Sequence, residues 1–435
     1  MDFPSDFVWG VATSAYQIEG AVDVDGRGES IWDRFAHTPG SVKFGHTGDV
    51  ACDHYRRMAD DVRLVAGLGV AAYRFSIAWP RVVPDGIGEV NHRGLDFYDH
   101  LVDELLDAGI EPFPTLYHWD LPQILEDRGC WRSGVTAEAF LDYAVAVTQR
   151  LGDRVSSFTT LNEPWCSAIL GHLTGEHAPG MQDQEAALAA GHHLLLAHGL
   201  VAQHLHAAGL RAGYVINQNT MIPASDHPAD IRAARLEDQK MSGWFLDPVA
   251  GRGYPEDALR DYGWDLAVVW PGDLEVISEP IDFLGLNYYT STVVADPDTP
   301  DSARDMRRVD PDEVTSMGWP VAPEGLTGQL VRLAEDYGYE EIYVTENGAA
   351  YPDTVGPGGV DDQDRISFLQ RHFDAASAAM QAGVPLRGYF VWSLMDNFEW
   401  AWGYTERFGL VHVDFDTLVR TPKASYHWMR GLLSR

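Results

Sequence analysis

Short apolar runs alternate along this chain with longer stretches in which apolar residues recur at helical spacing. The short runs are rich in β-branched and aromatic residues and are bounded by Gly, Pro or polar residues, as strands are. They predict strands at Phe7–Ser14, Ala71–Ile77, Glu111–Leu116, Ser156–Leu161, Ala212–Asn217, Phe283–Tyr288, Glu341–Thr345 and Gly388–Ser393. The longer stretches predict helices, for example at His54–Leu68, Arg93–Ala108, Ala137–Leu151 and Asp364–Ala382. In the first of these, the apolar stripe of Val62, Val65 and Leu68 stops at Gly69.

Strands that alternate with helices favour parallel pairing, because each helix can carry the chain back to the start of the next strand. Closure of eight such strands into a (β/α)8 barrel, the TIM barrel of the α/β class, leaves no unpaired strand edge. An open doubly wound sheet is the alternative. No Gly-x-Gly-x-x-Gly turn follows the first strand, and this weakens the case for the open sheet. No low-complexity segment or Gly/Ser linker divides the chain, so we predict a single domain over residues 1–435.

In a barrel of this kind, functional side chains lie at the C-terminal ends of the strands and in the loops that follow. Polar or aromatic residues fall at these places: Gln17, Arg74, His118, Glu163, Asn287, Glu346 and Trp392. The longest excursion between strands runs from Thr290 to about Glu324 and is rich in Asp, Pro and Thr. The sequence therefore predicts a site at the C-terminal rim, with this excursion as part of a pocket wall.

Two of these rim residues are glutamates that follow apolar, β-prone runs. Glu163 lies in Thr159-Thr160-Leu161-Asn162-Glu163-Pro164, and Glu346 lies in Val344-Thr345-Glu346-Asn347-Gly348. Pro164 and Gly348 then break the two strands. Cleavage of a glycosidic bond needs one acid to protonate the leaving oxygen and one carboxylate to act at the anomeric carbon. Two carboxylates that different strands bring to one rim meet that requirement.

The composition is that of an ordinary globular protein, with 435 residues, 45% hydrophobic and 22% charged. No apolar run reaches the roughly 18 residues that a membrane span needs. The N-terminal segment is acidic and lacks the basic-then-apolar order of a signal peptide. The cysteines Cys52, Cys130 and Cys166 are too few and too scattered for a disulfide framework or a zinc cluster. We therefore expect a cytoplasmic protein without a membrane partner.

The charge balance bears on partners and on metals. A net charge of −34, from 65 acidic and 31 basic residues, would repel nucleic acid and anionic membranes. One predicted helix carries several histidines without the i, i+4 spacing and nearby carboxylate of a metal site: His192, His193, His198, His204 and His206. The run Asp361-Asp362-Gln363-Asp364 lacks a complete calcium-loop pattern, and helix N-terminal charge explains it more simply. We predict no metal, no other cofactor and no nucleic-acid partner.

A set of motifs in order along nearly the whole chain resembles family 1 glycoside hydrolases of the β-glucosidase type. The motifs are Phe7 to Gly20, Tyr73 to Ile77, Tyr117-His118-Trp119-Asp120-Leu121-Pro122, the Thr-Leu-Asn-Glu-Pro segment, Asn287-Tyr288-Tyr289, the Thr-Glu-Asn-Gly segment and Trp392 to Trp400. The resemblance implies a retaining double displacement with Glu163 as general acid/base and Glu346 as nucleophile. Their carboxyl groups should then lie about 5–5.5 Å apart. Arg74, Asn287 and Tyr289 match supporting positions, and Arg74 and Tyr289 should keep Glu346 ionised.

The resemblance also implies a set of sugar-binding residues. A pyranose offers hydroxyl groups and a weakly apolar face, so its pocket needs polar side chains and flat aromatic walls. The positions that match hydroxyl binders are Gln17, His118, Asn162 and Glu399. Trp392 and Trp400 match the aromatic wall, Trp119 a supporting wall, and Phe408 a residue near the exocyclic group. Trp319, in Met317-Gly318-Trp319-Pro320, is expected to stack on the leaving-group side.

The expected activity is hydrolysis of terminal β-D-glucosyl residues from short oligosaccharides and aryl or alkyl β-glucosides, with β-galactosidase or β-fucosidase side activity. The stretch from Trp392 to Leu410 has no lysine, which favours free over 6-phosphorylated glycosides. A transglycosidase on the same site is one alternative. A catalytically inactive glycan-binding protein is another, but it would have no use for Arg74 and Tyr289 beside Glu346. The sequence leaves a homo-oligomer open.

Overall fold

Eight parallel strands form a closed barrel in the computed structural model, which describes residues 3–300 and 313–434. The strands are β1 Val8–Ala12, β2 Ala72–Ser76, β3 Glu111–Tyr117, β4 Ser157–Asn162, β5 Arg211–Asn217, β6 Phe283–Asn287, β7 Ile342–Asn347 and β8 Leu386–Trp392. Each strand pairs with its neighbours in sequence, and β8 pairs with β1, where Tyr389 lies opposite Trp9. The predicted (β/α)8 barrel is confirmed, and the open sheet is excluded because β1 and β8 close the ring.

Helices connect the strands on the outside of the barrel. The longer ones are α1 His54–Leu68, α2 His92–Asp107, α3 Gly134–Leu151, α4 Gln184–Ala207, α5 Pro228–Asp238, α6 Pro323–Glu335, α7 Gln363–Gln381 and α8 Ala424–Leu433. In α1 the predicted stripe of Val62, Val65 and Leu68 is buried, and Gly69 ends the helix with a left-handed φ of 85°. That φ favours glycine because it has no Cβ.

Shorter elements fill the loops between these strands and helices. Helical segments lie at Ala15–Ile18, Ile31–His37, Lys43–Gly45, Trp79–Val82, Gln123–Glu126, Cys130–Arg132, Cys166–Thr174, Gln239–Gly243, Trp244–Leu246, Glu256–Tyr262, Asp273–Ile277 and Trp400–Trp402. Paired short strands lie at Thr220–Pro223 with Ser291–Val294, Val355–Gly356 with Gly359–Val360, and Val411–Val413 with Arg420–Pro422. Within the described ranges, no helix is both long enough and apolar enough to cross a membrane.

Aromatic side chains fill the interior of the barrel below its C-terminal rim. The ring of Phe113 lies 5.3 Å from that of Phe283 and 5.0 Å from that of Phe390, centroid to centroid. Gly10 in β1 makes room for them, since a Cβ there would lie 2.3 Å from the Phe390 ring. With this end of the barrel packed, a cavity can form only toward the rim.

The run from Asp361 to Asp364 lies at the start of α7, as the sequence analysis expects. Asp362 is the N-terminal capping residue of that helix. Its carboxylate also pairs with Arg365 and accepts a hydrogen bond from Ser425 Oγ at 2.6 Å. This acidic run therefore contributes to a buried network of ion pairs as well as to the helix terminus.

The histidines of α4 differ in their surroundings. His192, His193 and His198 are buried, and His192 Nε2 lies 2.9 Å from Asp273 Oδ2. His206 lies between Glu279 and Asp282. Carboxylates from distant parts of the chain thus lie beside two of these histidines, which the local sequence does not reveal.

Candidate active site

The two glutamates singled out in the sequence lie at the C-terminal rim, on strands that β5 and β6 separate. Glu163 follows the last residue of β4, and Glu346 is the penultimate residue of β7. Glu163 has a left-handed φ of 46°, a conformation that costs a non-glycine residue roughly 1–2 kcal/mol. Its backbone N–H is held by the carbonyl oxygen of Val215 at 3.0 Å. Strain of this kind is typical of functional sites.

The carboxylate of Glu346 is bound by a cation and a phenol. Arg74 Nη1 donates to Glu346 Oε1 at 2.6 Å, and the Tyr289 hydroxyl donates to Glu346 Oε2 at 2.6 Å. Both Arg74 and Glu346 are buried. Each oxygen of Glu346 thus accepts a hydrogen bond that favours the ionised form.

The carboxyl group of Glu163 has only uncharged partners among the described residues. Asn287 Nδ2 donates to Glu163 Oε1 at 2.5 Å, and the Cys166 thiol donates to Glu163 Oε2 at 3.0 Å. The hydroxyl of Thr345 donates to Asn287 Oδ1 at 2.7 Å, which fixes the orientation of the Asn287 amide. The Asn287 side chain therefore presents its N–H groups to the glutamate.

Asn162 connects the surroundings of the two glutamates. Its Oδ1 accepts from Arg74 Nη2 at 2.6 Å and from Asn287 Nδ2 at 3.0 Å. A continuous hydrogen-bonded chain thus runs from Glu346 through Arg74, Asn162 and Asn287 to Glu163. This chain fixes the two carboxyl groups relative to each other.

The two carboxyl groups differ in their affinity for a proton. Burial and then repulsion from Glu346 raise the pKa of Glu163 to about 7. Burial also raises the pKa of Glu346, but the charge of Arg74 and the hydrogen bonds from Tyr289 and Arg74 act in the opposite direction. These surroundings favour the proton on Glu163 and the ionised form of Glu346.

Both glutamates open into one cavity of about 380 Å³ at the C-terminal rim. Most of the residues predicted for the site line it: His118, Trp119, Glu163, Asn287, Tyr289, Trp319, Glu346, Trp392, Glu399, Trp400 and Phe408. Gln17, Arg74 and Asn162 lie behind this lining. The side-chain amide of Gln17 donates to Asn397 Oδ1 and to the Phe398 carbonyl oxygen, and it accepts from the Ser14 hydroxyl. Its hydrogen-bonding groups are therefore engaged with other parts of the protein.

Aromatic rings form the walls of the cavity. The ring of His118 stacks between Trp392 and Trp400, 5.9 Å from each, and Trp119 lies 4.5 Å from Trp400. On the other side, the Trp319 ring lies 5.5 Å from Tyr289 and 6.3 Å from Phe408. Flat apolar walls of this size suit the face of a sugar ring or an aryl group.

Two polar atoms at these walls are buried without a partner in the described part of the chain. They are Glu399 Oε2 and His118 Nδ1. Burial and the neighbouring carboxylates raise the pKa of Glu399 to about 8, and burial lowers the pKa of His118 well below its usual range. Because an unpaired buried polar atom is costly, both atoms are well suited to receive hydroxyl groups of a ligand.

Other residues that line the cavity were not assigned to the site by the sequence analysis. They are Trp165, Leu170, Glu176, His177, Asn217, Asn219, Met241 and Trp402. Asn217 ends β5, so the rim rule could have identified it. Leu170 and Met241 are apolar residues in helices, for which no local signal exists. Cys166 both lines the cavity and donates a hydrogen bond to Glu163.

The predicted wall segment from Thr290 to about Glu324 contributes Thr290, Met317 and Trp319 to the lining. Its residues 301–312 lie outside the described residues. No three metal-ligating side chains cluster in the cavity among the residues described, although one such group, Glu126, Cys130 and His172, lies elsewhere. The two carboxyl groups of the cavity can supply acid–base and nucleophilic chemistry.

Comparisons with known proteins agree with this geometry. The model of the family described as glycosyl hydrolase family 1 matches residues 1–435. The chain is 48% identical over 436 residues to β-glucosidase A of Thermotoga maritima, covering 99% of this chain and 97% of that protein. It is 45% identical to a bifunctional β-D-glucosidase/β-D-fucosidase of Bifidobacterium breve, covering 100% and 98%. The solved family 1 β-glucosidase of Thermotoga maritima superposes with a TM-score of 0.94 at 48% identity, covering 99% of this chain and 98% of that one.

Proposed function

The chain belongs to glycosyl hydrolase family 1 and is a glycoside hydrolase, and we propose that it hydrolyses terminal β-D-glucosyl residues with retention of configuration. In this proposal Glu346 is the nucleophile and Glu163 the general acid/base. The observation that carries the assignment is the unequal environment of two linked carboxyl groups that open into one cavity. Within the described ranges, Glu346 has a guanidinium partner and Glu163 has none.

In the first step, a carboxylate oxygen of Glu346 attacks the anomeric carbon as the bond to the leaving oxygen breaks. The proton on Glu163 passes to that oxygen, so the aglycone leaves as an alcohol. A covalent glycosyl-enzyme ester and an ionised Glu163 remain. Burial of Glu163 supports this role, because it keeps the carboxyl protonated near neutral pH.

In the second step, ionised Glu163 takes a proton from a water molecule that attacks the anomeric carbon. The ester bond to Glu346 breaks, and its carboxylate returns to Arg74 and Tyr289. These two donors favour Glu346 as a leaving group. The product sugar has the configuration of the substrate, because the anomeric carbon has been inverted twice.

The walls of the cavity support a neutral sugar as the substrate. The described residues that line it include several aromatic rings and the unpaired polar atoms of Glu399 and His118, but no Lys or Arg. We therefore propose free glucosides rather than 6-phosphoglucosides. The similarity to a bifunctional β-D-glucosidase/β-D-fucosidase supports side activity on β-fucosides, and we propose the same for β-galactosides. Faster cleavage of a 6-phosphoglucoside than of the free glucoside would contradict the proposed preference for free glucosides.

Trp319 is proposed to contact the leaving group. Its ring lines the cavity beside Tyr289 and Phe408. Replacement of Trp319 by Ala should raise KM for aryl glucosides and cellobiose severalfold while leaving the preference for gluco- over galacto-configured substrates intact. Kinetic constants on a matched set of substrates test this. An unchanged aglycone profile would contradict it.

The decisive experiment concerns Glu346. Wild type should release nitrophenol rapidly from an aryl β-D-glucoside, and Glu346→Gly should lose nearly all turnover. Added azide or formate should restore product with inverted configuration, because the small anion occupies the space of the missing carboxylate. Glu341→Gly, in the same segment but at the opposite end of the barrel and paired with Arg211, is the matched control and should keep wild-type turnover.

Product analysis in the same assay separates hydrolysis from the transglycosidase alternative. A retained sugar transferred mainly to an added alcohol or sugar would favour transglycosylation, while free glucose as the main product would favour hydrolysis. A Glu346→Gly variant that keeps turnover, or that azide does not rescue, would overturn the assignment of the nucleophile.

A further inference from the structure

Outside the active-site cavity, the side chains of Glu126, Cys130 and His172 converge. One ligand atom from each, a carboxylate oxygen, Sγ and a ring nitrogen, lies within 4.8 Å of the other two. Glu126 ends the short helix Gln123–Glu126 and Cys130 begins the helical turn Cys130–Arg132, both after β3. His172 lies in the helical segment Cys166–Thr174 after β4. Two neighbouring loops of the rim thus meet at this cluster.

The imidazole of His172 is oriented with its free nitrogen toward the cluster. Its Nδ1 lies 2.8 Å from the carbonyl oxygen of Ser167, an acceptor, so Nδ1 carries the proton. The unprotonated Nε2 lies 3.2 Å from Cys130 Sγ. A histidine whose second nitrogen donates to a backbone carbonyl has the arrangement usual for metal ligands.

The carboxyl group of Glu126 completes the set. Its Oε2 is buried and has no hydrogen-bond partner among the residues that the structure describes. Cys130 and His172 are almost fully buried, with 0% and 1% of their surface exposed, while Glu126 is partly exposed. Of the three residues, Glu126 is therefore the one that reaches solvent.

The type of these ligands and the spacing of Cys130 Sγ and His172 Nε2 fit zinc. With usual bond lengths to sulfur, nitrogen and oxygen, tetrahedral zinc holds its ligand atoms roughly 3.4–3.6 Å apart. Shifts of a few tenths of an ångström would bring Sγ and Nε2 to this spacing. A thiolate and an imidazole disfavour magnesium and calcium, which prefer oxygen ligands.

We propose that Glu126, Cys130 and His172 bind a zinc ion, with water as the fourth ligand. The ion would tie the loop after β3 to the segment Cys166–Thr174. That segment begins with Cys166, whose thiol contacts Glu163. The site therefore stabilises the part of the rim next to the proposed acid/base without entering the cavity.

Binding of zinc has a defined proton balance. Because zinc binds a thiolate, it displaces the proton of the Cys130 thiol, which passes to solvent, and no electron is transferred. The affinity should rise about tenfold for each unit of pH. Two nearby charges act on the cluster, Arg132 against a cation and Asp127 in its favour.

The test uses Co²⁺ as a spectroscopic probe on full-length protein treated with a chelator. Wild type should bind one Co²⁺ with a thiolate-to-metal charge-transfer absorption, and Zn²⁺ should displace it. Cys130→Ser should abolish this absorption and weaken zinc binding by more than about 100-fold, since loss of even an outer-shell partner costs 10–100-fold. Glu126→Gln should weaken binding, and Cys52→Ala, which removes a buried thiol that contacts Asp396 and is not part of this cluster, should leave it unchanged.

A melting experiment gives an independent readout. Zinc should raise the melting temperature of wild type and of Cys52→Ala but not that of Cys130→Ser. Absence of the charge-transfer absorption up to millimolar Co²⁺ would overturn the proposal. So would an absorption that persists in Cys130→Ser, or a zinc-dependent gain in melting temperature that is equal in all variants.

Discussion

At the scale of single residues, the protonation of Glu163 sets the pH range of the reaction. Its pKa is raised to about 7, so the acid form is present below that pH and is lost as the pH rises through it. For an aryl glucoside with a poor leaving group, kcat/KM should therefore fall as the pH rises through about 7. A pH profile of kcat/KM measures this directly.

The variant Glu163→Gln tests the source of that pH dependence. With a leaving group that needs no protonation, such as dinitrophenolate, the variant should still form the glycosyl-enzyme and should show no decline near pH 7. Wild type on the poor leaving group provides the control. A wild-type decline at the ordinary pKa of a glutamate, about 4.3, would contradict the raised value.

Cys166 should adjust the pKa of Glu163. Its thiol donates to Glu163 Oε2 at 3.0 Å and so stabilises the carboxylate, which lowers the pKa. In Cys166→Ala the pKa should rise, and the alkaline decline of kcat/KM should move up by roughly half a pH unit, as expected for a weak donor worth under about 1 kcal/mol. The measurement is the pH profile of the variant.

The control for Cys166 is Cys52→Ala. The Cys52 thiol is also buried but donates to the backbone carbonyl of Asp396. Removal of the Cys52 thiol should leave the pH profile of kcat/KM unchanged. An unchanged or downward-shifted profile in Cys166→Ala would show that the thiol has only a packing role.

The sequence predicts most residues that line the cavity, because they end strands or lie in recognisable motifs. It does not predict which of them face the ligand. Gln17 is held behind the lining by Asn397 and Phe398, which are distant in sequence. Leu170 and Met241 reach the cavity from helices whose spacing resembles that of any packed helix. Such contacts depend on tertiary packing, for which a single sequence carries no local signal.

At the scale of the elements, the alternation of strands and helices is enough to predict the barrel, while boundaries depend on local contacts. Helix α1 has the predicted bounds. Helix α3 starts at Gly134, three residues before the predicted start, because Ser133 Oγ accepts from the backbone N–H of Val135. Strand β7 extends to Asn347 rather than Thr345, since Asn347 still pairs with Val391 of β8.

The segment before α8 is joined to the loops after β7 and β8 through Lys423. Its ammonium pairs with Asp353 and, at 2.6 Å, with Asp396, and all three side chains are buried. Lys423→Met leaves these carboxylates partly uncompensated, although Arg365 and Arg407 remain beside them. We predict a loss of about 3–5 kcal/mol in the free energy of unfolding.

Urea unfolding at neutral pH measures this loss. Lys240→Met is the matched control, because Lys240 pairs with the partly exposed residues Glu237 and Asp261. That variant should lose less than about 1 kcal/mol. Equal losses in the two lysine variants would mean that burial of the Lys423 ion pairs adds nothing to the free energy of unfolding.

At the scale of the whole molecule, the two ends of the chain are tied together. Strand β1 pairs with β8, and Arg420 Nε lies 2.9 Å from Asp61 Oδ1 of α1. Gln17 donates to Asn397, 380 residues further along the chain. A barrel cannot close before its last strand is in place, so neither half can bury its interior alone.

This interlocking predicts that residues 1–435 unfold as a single domain. Thermal unfolding should show one transition, with the fluorescence and circular dichroism curves coinciding. Arg420→Met removes the cation beside buried Asp61, so it should lower this one melting temperature without splitting the transition. Arg93→Met, which loses only a 4.0 Å contact of an exposed arginine with Asp25, should melt like wild type. Two separated transitions in wild type or in Arg420→Met would mean that part of the barrel can fold without the rest.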